Sequence, residues 1–194
     1  MVPIKGASDE RRKALARGRL VHRLMQSLPD IPQAARKDAI ARYLKNAAAD
    51  LSAGEHAEIA QQVLAMLNDL IFADVFAPGS RAEVPIVGRV PGGGAAAVVV
   101  SGQVDRLAVT RDAVLIADYK TDRVVPQTVA EVPAAYVGQL ALYRAVLARI
   151  YPEKTIRTAL LFTAGPRLIE VPAAAMDAKL AERAAKSNAP VKLS

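Results

Sequence analysis

The chain has 194 residues and carries 26 Lys and Arg against 19 Asp and Glu, which gives a net charge of +7. Apolar residues make up 52% of it and charged residues 23%, so it has enough apolar surface for a buried core and is not a disordered basic tail. Because the sequence has no Cys, disulfides, thiolate metal sites, cysteine nucleophiles and cysteine-ligated iron–sulfur clusters are excluded. The length predicts a single domain over residues 1–194.

The charge is unevenly distributed along the chain. Residues 1–50 hold 11 basic and 5 acidic side chains, residues 51–130 hold 6 and 9, and residues 131–194 hold 9 and 5. A protein that holds a divalent cation and binds a polyanion has this pattern, but solvated helices rich in Lys and Arg explain it equally well. No apolar run approaches the roughly 20 residues of a membrane span, and charges stand where a signal peptide would be apolar. A cytoplasmic protein is therefore expected.

The first 72 residues have helical periodicity. Leu residues at four-residue steps predict a helix from Asp9 to Leu28, and the prolines that follow it end that helix. A second helix is predicted over Gln33–Asp50 and a third over Ser52–Phe72. The third begins with Ser52 and Glu55 at the spacing of a capping box. Residues 33–72 therefore form a helical insertion before the first strand.

The periodicity then changes to that of strands. Strands are predicted over Glu83–Val90, Ala96–Val109 and Ala113–Lys120, with a turn at Pro91–Gly94. Three strands with short connections form an antiparallel meander. The glycine run in the turn lacks the Lys and Ser or Thr that would make it a phosphate loop.

The last third returns to helices and strands. A helix is predicted over Ala134–Tyr151, a strand over Thr155–Thr163, a short strand over Arg167–Val171 and a final helix over Ala173–Lys186. Residues 187–194 carry no pattern. The order of helices, meander, helix and strand predicts an α/β (α+β) domain with its core over about residues 10–171.

Two acidic residues and a lysine stand out on the second and third strands. Because side chains alternate along a strand, Asp118 and Lys120 share one face, and a tight turn would bring Asp105 beside them. Crowded carboxylates lose solvation and repel each other, and a divalent cation such as Mg²⁺ removes that penalty. The alternative is a surface ion pair of Asp118 with Lys120 or Arg106.

Four short segments together resemble the PD-(D/E)XK nuclease superfamily and its RecB-like branch, most of all the carboxy-terminal nuclease domain of AddA-type helicase–nucleases. They occur in the family's order, span about residues 15–165, and are Gly18–Met25, Gly102–Leu107, Asp118–Thr121 and Gln139–Tyr143. The resemblance implies a restriction-endonuclease-like core of a helix, a three-stranded meander, a helix and a further strand.

The resemblance also implies a set of site residues. It makes His22, Asp105 and Asp118 metal ligands, with the carbonyl of Tyr119 as a further ligand, and it makes Lys120 the catalytic lysine. A lone helical His is otherwise more often a packing or surface residue.

Three further residues match the family's pattern. Gln139 and Tyr143 lie four residues apart on one helical face, and in the family this pair flanks the active site, although ordinary helix packing is the alternative. Glu83 matches an accessory acidic position, which a charge on an edge strand explains nearly as well.

The implied function is Mg²⁺-dependent hydrolysis of phosphodiester bonds, with Mn²⁺ as a substitute cation, by an exonuclease that processes double-strand breaks for recombinational repair. The implied partners are single-stranded DNA, a helicase region of the same longer polypeptide and an AddB-like subunit, with no membrane and no iron–sulfur cluster. The alternatives are a non-catalytic DNA clamp or partner-docking module with a nuclease-like fold, and a stand-alone RecB-like exonuclease.

Overall fold

A computed structural model describes residues 5–91, 97–122, 124–186 and 191–192. Short 3₁₀ turns occupy Leu28–Asp30, Leu70–Phe72 and Val129–Glu131. The mixed α/β architecture confirms the predicted fold class, and the elements in chain order are α1 (Lys5–Ser27), α2 (Gln33–Ala47), α3 (Ala53–Asn68), β1 (Arg81–Pro91), β2 (Ala97–Val109), β3 (Ala113–Lys120), α4 (Ala134–Ile150), β4 (Thr155–Phe162), β5 (Arg167–Glu170), α5 (Ala173–Lys186) and β6 (Val191–Lys192).

The chain groups into two compact units. The helical unit comprises Met1–Ala73, Lys120–Val125 and Phe162–Arg167. The sheet unit comprises Asp74–Tyr119, Pro126–Leu161 and Leu168–Ser194. The chain therefore passes from the sheet unit into the helical unit at the end of β3.

In the helical unit, α1, α2 and α3 pack on one another around fully buried side chains such as Met25, Ile40 and Ile59. The predicted capping box at the start of α3 is confirmed, because Ser52 Oγ accepts from the Glu55 N–H and the Glu55 carboxylate accepts from the Ser52 N–H. The second and third predicted helices extended too far. Helix α2 ends at Ala47, and α3 ends at Asn68, after which Asp69 is extended.

In the sheet unit, β1, β2 and β3 form the predicted antiparallel meander, and the strand order of the sheet is β1-β2-β3-β4-β5. Helix α4 packs against β1, β2 and α5. The approach of α4 to β1 depends on Gly88, because a Cβ at this position would lie 2.7 Å from Cγ1 of Val146. Buried hydrophobic residues on β2, β3, β4 and α4 form the core of the sheet unit.

The expectation of a tail without structure is wrong at Val191–Lys192, which form β6 and pair in parallel with β2. A strand of two residues is too short for its side-chain alternation to be visible in a sequence. Pro91, the first residue of the turn predicted at Pro91–Gly94, is the last residue of β1, and the rest of that turn lies outside the described residues. No helix in the described part of the chain has the length and hydropathy of a membrane span.

Candidate active site

Three carboxylates lie at adjacent positions on the three strands of the meander. The β1–β2 register steps from Ala82 opposite Arg106 to Val84 opposite Val104, and Glu83 and Asp105 stand between these pairs. The β2–β3 register ends with Arg106 opposite Ala117, so Asp105 and Asp118 are the next residues on the two strands. Glu83, Asp105 and Asp118 thus form a row across the sheet, which we call the carboxylate row.

Asp118 is a buried member of this row, with 3% of its surface exposed. Asp118 is therefore not a surface carboxylate. Arg106 is also buried, and its Nε donates to Ser80 Oγ at 2.9 Å. A buried carboxylate must be paired with a hydrogen-bond donor or a cation, because desolvation otherwise costs several kcal/mol.

Asp105 is tied to the neighbouring strand. Its Oδ2 accepts a hydrogen bond from the backbone N–H of Tyr119, with 2.6 Å between the two atoms. The bond joins the side chain of β2 to the main chain of β3 between Asp118 and Lys120. It fixes the orientation of the Asp105 carboxylate within the row.

Glu83 has the one positive φ, +53°, among the non-glycine residues that the structure describes. A side chain in this left-handed region costs roughly 1–2 kcal/mol, and such strain concentrates at functional sites. A carboxylate oxygen of Glu83 lies within 4.8 Å of one of Asp105. The Glu83 carbonyl accepts a hydrogen bond from Nε2 of Gln103 at 3.0 Å, which holds the strained peptide.

Tyr143 is fully buried, and its hydroxyl contacts the main chain of β2. The hydroxyl donates to Gln103 O at 2.8 Å and accepts from Gln103 N at 3.1 Å. Gln139 also hydrogen-bonds this hydroxyl from the preceding turn of α4. Tyr143, with Gln139 on its hydroxyl, therefore contacts β2 two residues before Asp105.

The negative charge of the carboxylate row affects the pKa of the Tyr143 hydroxyl. Burial raises the pKa of its hydroxyl, and the negative charges of Asp118 and Asp105 act in the same direction. The hydrogen bonds with Gln139 and Gln103 act in the opposite direction. The hydroxyl is therefore neutral over the physiological range and remains a donor.

Lys120 is the last residue of β3, on the same face of the strand as Asp118 and two residues beyond it. Its carbonyl accepts from the N–H of Thr163 at 2.8 Å. The side chain is partly exposed, whereas Tyr119 between these two residues is buried. The end of β3 thus presents a buried carboxylate and an accessible ammonium on one face.

His22 lies on α1 in the helical unit and is half-buried. Its Nδ1 is 3.2 Å from Nε2 of Gln26, whose Oε1 accepts from Arg23. When the Gln26 amide donates to Nδ1, the neutral ring carries its proton on Nε2. Ligation of a cation through Nε2 requires the opposite tautomer, in which Nδ1 donates to the oxygen of Gln26.

The helical unit also contains a groove of about 670 Å³. This volume is in the range of roughly 300–1,000 Å³ that is typical of ligand sites. Lys13, Arg17 and Arg19 of α1 line it, together with Thr121, the residue that follows Lys120. The acidic residues in its lining are Asp50 and Glu55, and the Glu55 carboxylate also caps α3.

Residues 4–191 match the sequence model of the PD-(D/E)XK nuclease superfamily. The chain belongs to this superfamily. No curated protein matches the chain. A solved structure, described as "Crystal structure of SSO0001", is similar with 15% sequence identity and a TM-score of 0.35, over 88% of this chain and 76% of that one.

PD-(D/E)XK proteins are generally metal-dependent nucleases, and the donor set of this chain fits a divalent cation. Glu83 and Asp105 bring carboxylate oxygens together, and Asp118 is the adjacent carboxylate in the row. Oxygen ligands of this kind suit Mg²⁺, Mn²⁺ and Ca²⁺. Asp118-Tyr119-Lys120 has the residue types of the (D/E)XK part of the motif for which the superfamily is named.

The sequence did not reveal several residues that support the site. Gln103 lies inside the segment that carried the resemblance, but only its contacts with Glu83 and Tyr143 show what it does. Gln26 follows His22 at four residues, and this helical spacing was a usable signal. No sequence signal marks the left-handed conformation of Glu83.

Proposed function

We propose that the chain is a Mg²⁺-dependent DNA nuclease domain of the RecB-like branch. It hydrolyses phosphodiester bonds of DNA strands while double-strand breaks are processed for recombinational repair, in the manner of an AddA-type helicase–nuclease. The observation that carries the proposal is the carboxylate row, with a lysine two residues beyond Asp118 on the same strand face.

Each site residue has a role in the proposed hydrolysis. Asp105 and Asp118 hold the cation, with Glu83 as an accessory carboxylate and the Tyr119 carbonyl as a further oxygen. A divalent cation bound there neutralises charge on the phosphate and acidifies water. Lys120 follows Asp118 at two residues on the same face of β3, and its ammonium is proposed to orient the attacking water and to stabilise the charge that develops on the phosphoryl oxygens.

His22 is proposed as the imidazole ligand of the same cation. The superfamily resemblance supports this role. Ligation through Nε2 further requires the Gln26 amide to turn, so that its oxygen accepts from Nδ1. Gln139 and Tyr143 are assigned a positioning role through the main chain of β2, since the Tyr143 hydroxyl is bound to Gln103. In this proposal neither one touches the reacting atoms.

Single-stranded DNA is the proposed substrate, and the groove of the helical unit is its proposed path. Three basic residues of α1 line this groove. Thr121, which follows Lys120 in the sequence, lines it as well. A helicase region in the same polypeptide and an AddB-like subunit are the proposed partners. They would deliver the unwound strand.

The decisive experiment compares Asp118→Asn and Lys120→Ala with the parent on end-labelled single-stranded and double-stranded DNA in Mg²⁺. Each variant should lose at least about 100-fold in cleavage rate, because the cation or the ammonium is lost. Asp112→Asn is the matched control for Asp118→Asn, since Asp112 is an exposed aspartate just before β3. Circular dichroism reports whether the fold is kept.

Full activity of either site variant would contradict the mechanism. If the parent binds DNA but does not cleave it in Mg²⁺ or Mn²⁺, the chain acts as a clamp and the proposal of a nuclease fails. The pattern of labelled products also separates exonuclease from endonuclease activity.

The role of His22 is tested by calorimetric titration of Mn²⁺ into the parent and His22→Ala. The variant should bind Mn²⁺ roughly tenfold more weakly, because one ligand is removed. His56→Ala is the matched control, since this half-buried histidine contacts the Ala48 carbonyl through Nε2 at 2.8 Å. An unchanged isotherm for His22→Ala would return His22 to a packing role.

A further inference from the structure

The carbonyl of Lys120 is held by a residue that the proposed chemistry does not use. Thr163 follows β4 and is 2% exposed. Its N–H donates to Lys120 O at 2.8 Å, and its Oγ1 is 3.3 Å from the same oxygen. The backbone N–H and the side-chain hydroxyl of Thr163 thus both contact the carbonyl of Lys120, the last residue of β3. These contacts fix the main chain from which the lysine side chain extends.

Thr163 is held in turn by Gln62 of α3. Nε2 of Gln62 donates to the Thr163 carbonyl, and Oε1 of Gln62 accepts from Nη2 of Arg17 on α1 at 3.0 Å. Both polar atoms of the Gln62 amide are therefore hydrogen-bonded. Arg17 donates to its oxygen and the Thr163 carbonyl accepts from its nitrogen, so the orientation of the amide is set. We call Arg17, Gln62 and Thr163 the positioning chain.

A steric contact on α1 reinforces this arrangement. A Cβ at Gly18 would lie 2.9 Å from Cβ of Thr121, the residue after Lys120. Only a residue without a side chain lets the main chain after β3 come this close to α1. Residues 120 and 121 are therefore located by α1 through Gly18 and by α3 through Gln62.

We propose that Gln62 and Thr163 are positioning residues for Lys120. The inference rests on the proposed nuclease function, in which Lys120 is catalytic. A lysine side chain is long and has many rotamers, so its ammonium reaches a fixed place only when its main chain is fixed. A displacement of about 1 Å in a catalytic group costs on the order of 100-fold in rate.

The positioning role assigns a function to the helical insertion, residues 33–72, because Gln62 lies on α3. The sheet forms its own core, whereas Gln62 on α3 reaches the strand-end residue Thr163 with a hydrogen bond. Loss of this bond should lower the rate of the chemical step while the cation ligands Asp105 and Asp118 keep their places. The expected signature is a lower kcat at saturating DNA with an unchanged affinity for Mn²⁺.

The first variant is Gln62→Glu, which keeps an oxygen for Arg17 and nearly the same volume but replaces the donor to Thr163 O with a carboxylate oxygen. We expect kcat on a saturating single-stranded oligonucleotide to fall roughly tenfold, with Mn²⁺ affinity within twofold of the parent. Because Gln62 also lines the groove proposed as the DNA path, the added charge should raise KM, and kcat and Mn²⁺ affinity carry the test. Gln61→Glu is the matched control, because Gln61 is the exposed neighbour and takes the same change in charge.

The second pair of variants acts on Thr163 itself. Thr163→Val removes the hydroxyl and should also lower kcat, whereas Thr163→Ser keeps the hydroxyl and should recover most of that loss. Hydrogen exchange of the peptide that contains residues 118–122 gives a readout independent of activity. Exchange there should be faster in Gln62→Glu than in Gln61→Glu.

The outcomes separate the inference from the function on which it rests. If the parent cleaves DNA and Gln62→Glu and Thr163→Val keep the parent's kcat, the positioning role is wrong and the nuclease stands. If Gln62→Glu lowers Mn²⁺ affinity as much as it lowers kcat, its effect reaches the cation ligands and is not confined to Lys120, so the role is wrong as well. If the parent does not cleave, both fail.

Discussion

From Ile86 to Pro91, β1 pairs with β2 residue by residue over a packed apolar layer that includes Ile86, Val90 and Val100. At the other end of the same two strands, the register has no pair between Glu83 and Asp105. Glu83 has a left-handed backbone there, and its carboxylate lies close to that of Asp105. The first end carries the stability of the sheet. The second end is strained and charged, as expected where structure is shaped by a reaction.

The largest effect on stability is expected at the regular end, from Gly88→Ala. The new Cβ would lie 2.7 Å from Cγ1 of the buried Val146, so strand and helix must separate. We expect the free energy of unfolding to fall by about 1–3 kcal/mol, measured by urea denaturation.

Gly138→Ala is the matched control, because nothing lies within 4 Å of a Cβ built there. This glycine is inside α4, so the same substitution should stabilise the protein by about 0.5–1 kcal/mol. Equal stability changes in the two variants would show that the approach of α4 to β1 does not depend on Gly88.

A smaller effect on stability, joined to an effect on activity, is expected from Tyr143→Phe at the charged end. The phenylalanine ring fills the same space but leaves the N–H and C=O of Gln103 without their partner. We expect a loss of about 1–2 kcal/mol in the free energy of unfolding and a loss of roughly tenfold in kcat. Unchanged cleavage would show that Tyr143 only packs.

The same variant changes the response to alkaline pH. Burial raises the pKa of the Tyr143 hydroxyl above its ordinary value of 10.0. A raised folded-state pKa contributes stability that is fully present below the unfolded-state value and is lost as pH rises through the folded-state value. Tyr143→Phe should therefore lose less stability than the parent above about pH 10.

The smallest effect on stability is expected from Glu83→Gly, and its sign is opposite. Glycine adopts a φ of +53° freely, so the free energy of unfolding should rise by about 1 kcal/mol while Mg²⁺-dependent cleavage falls. Glu83→Gln keeps the strain and removes the charge, so it should lower cleavage without raising stability. A destabilised Glu83→Gly variant would show that the left-handed conformation is not strained.

The sequence was sufficient for the fold because its signals are local. Alternation along β2 and β3 and the capping box at Ser52 fixed the elements, and four short segments in order fixed the family. The helix ends at Ala47 and Asn68 were missed because the mostly apolar residues beyond them, 48–49 and 70–72, are compatible with a helix. The pairing of β6 was missed because its partner is about 90 residues away.

The site was predictable only in part. The sequence indicated Asp105 and Asp118 because strand alternation and a tight turn bring them together. It did not indicate that Tyr143 binds Gln103 O, or that Gln62 binds Thr163, because these contacts join residues 40 and 101 positions apart. Contacts of this kind depend on tertiary packing and leave no periodic trace.

The hydrogen bond from the Tyr119 N–H to Oδ2 of Asp105 also has a consequence for the entropy of ion binding. A carboxylate that is free to rotate must be immobilised when it takes up an ion, and that step costs roughly 0.5–1.5 kcal/mol for each side chain. The folded sheet has already immobilised Asp105, so the entropy of this side chain is lost during folding and not during ion binding. In the proposed function, in which Asp105 holds the cation, removal of the ion should consequently leave the carboxylate in its bound orientation.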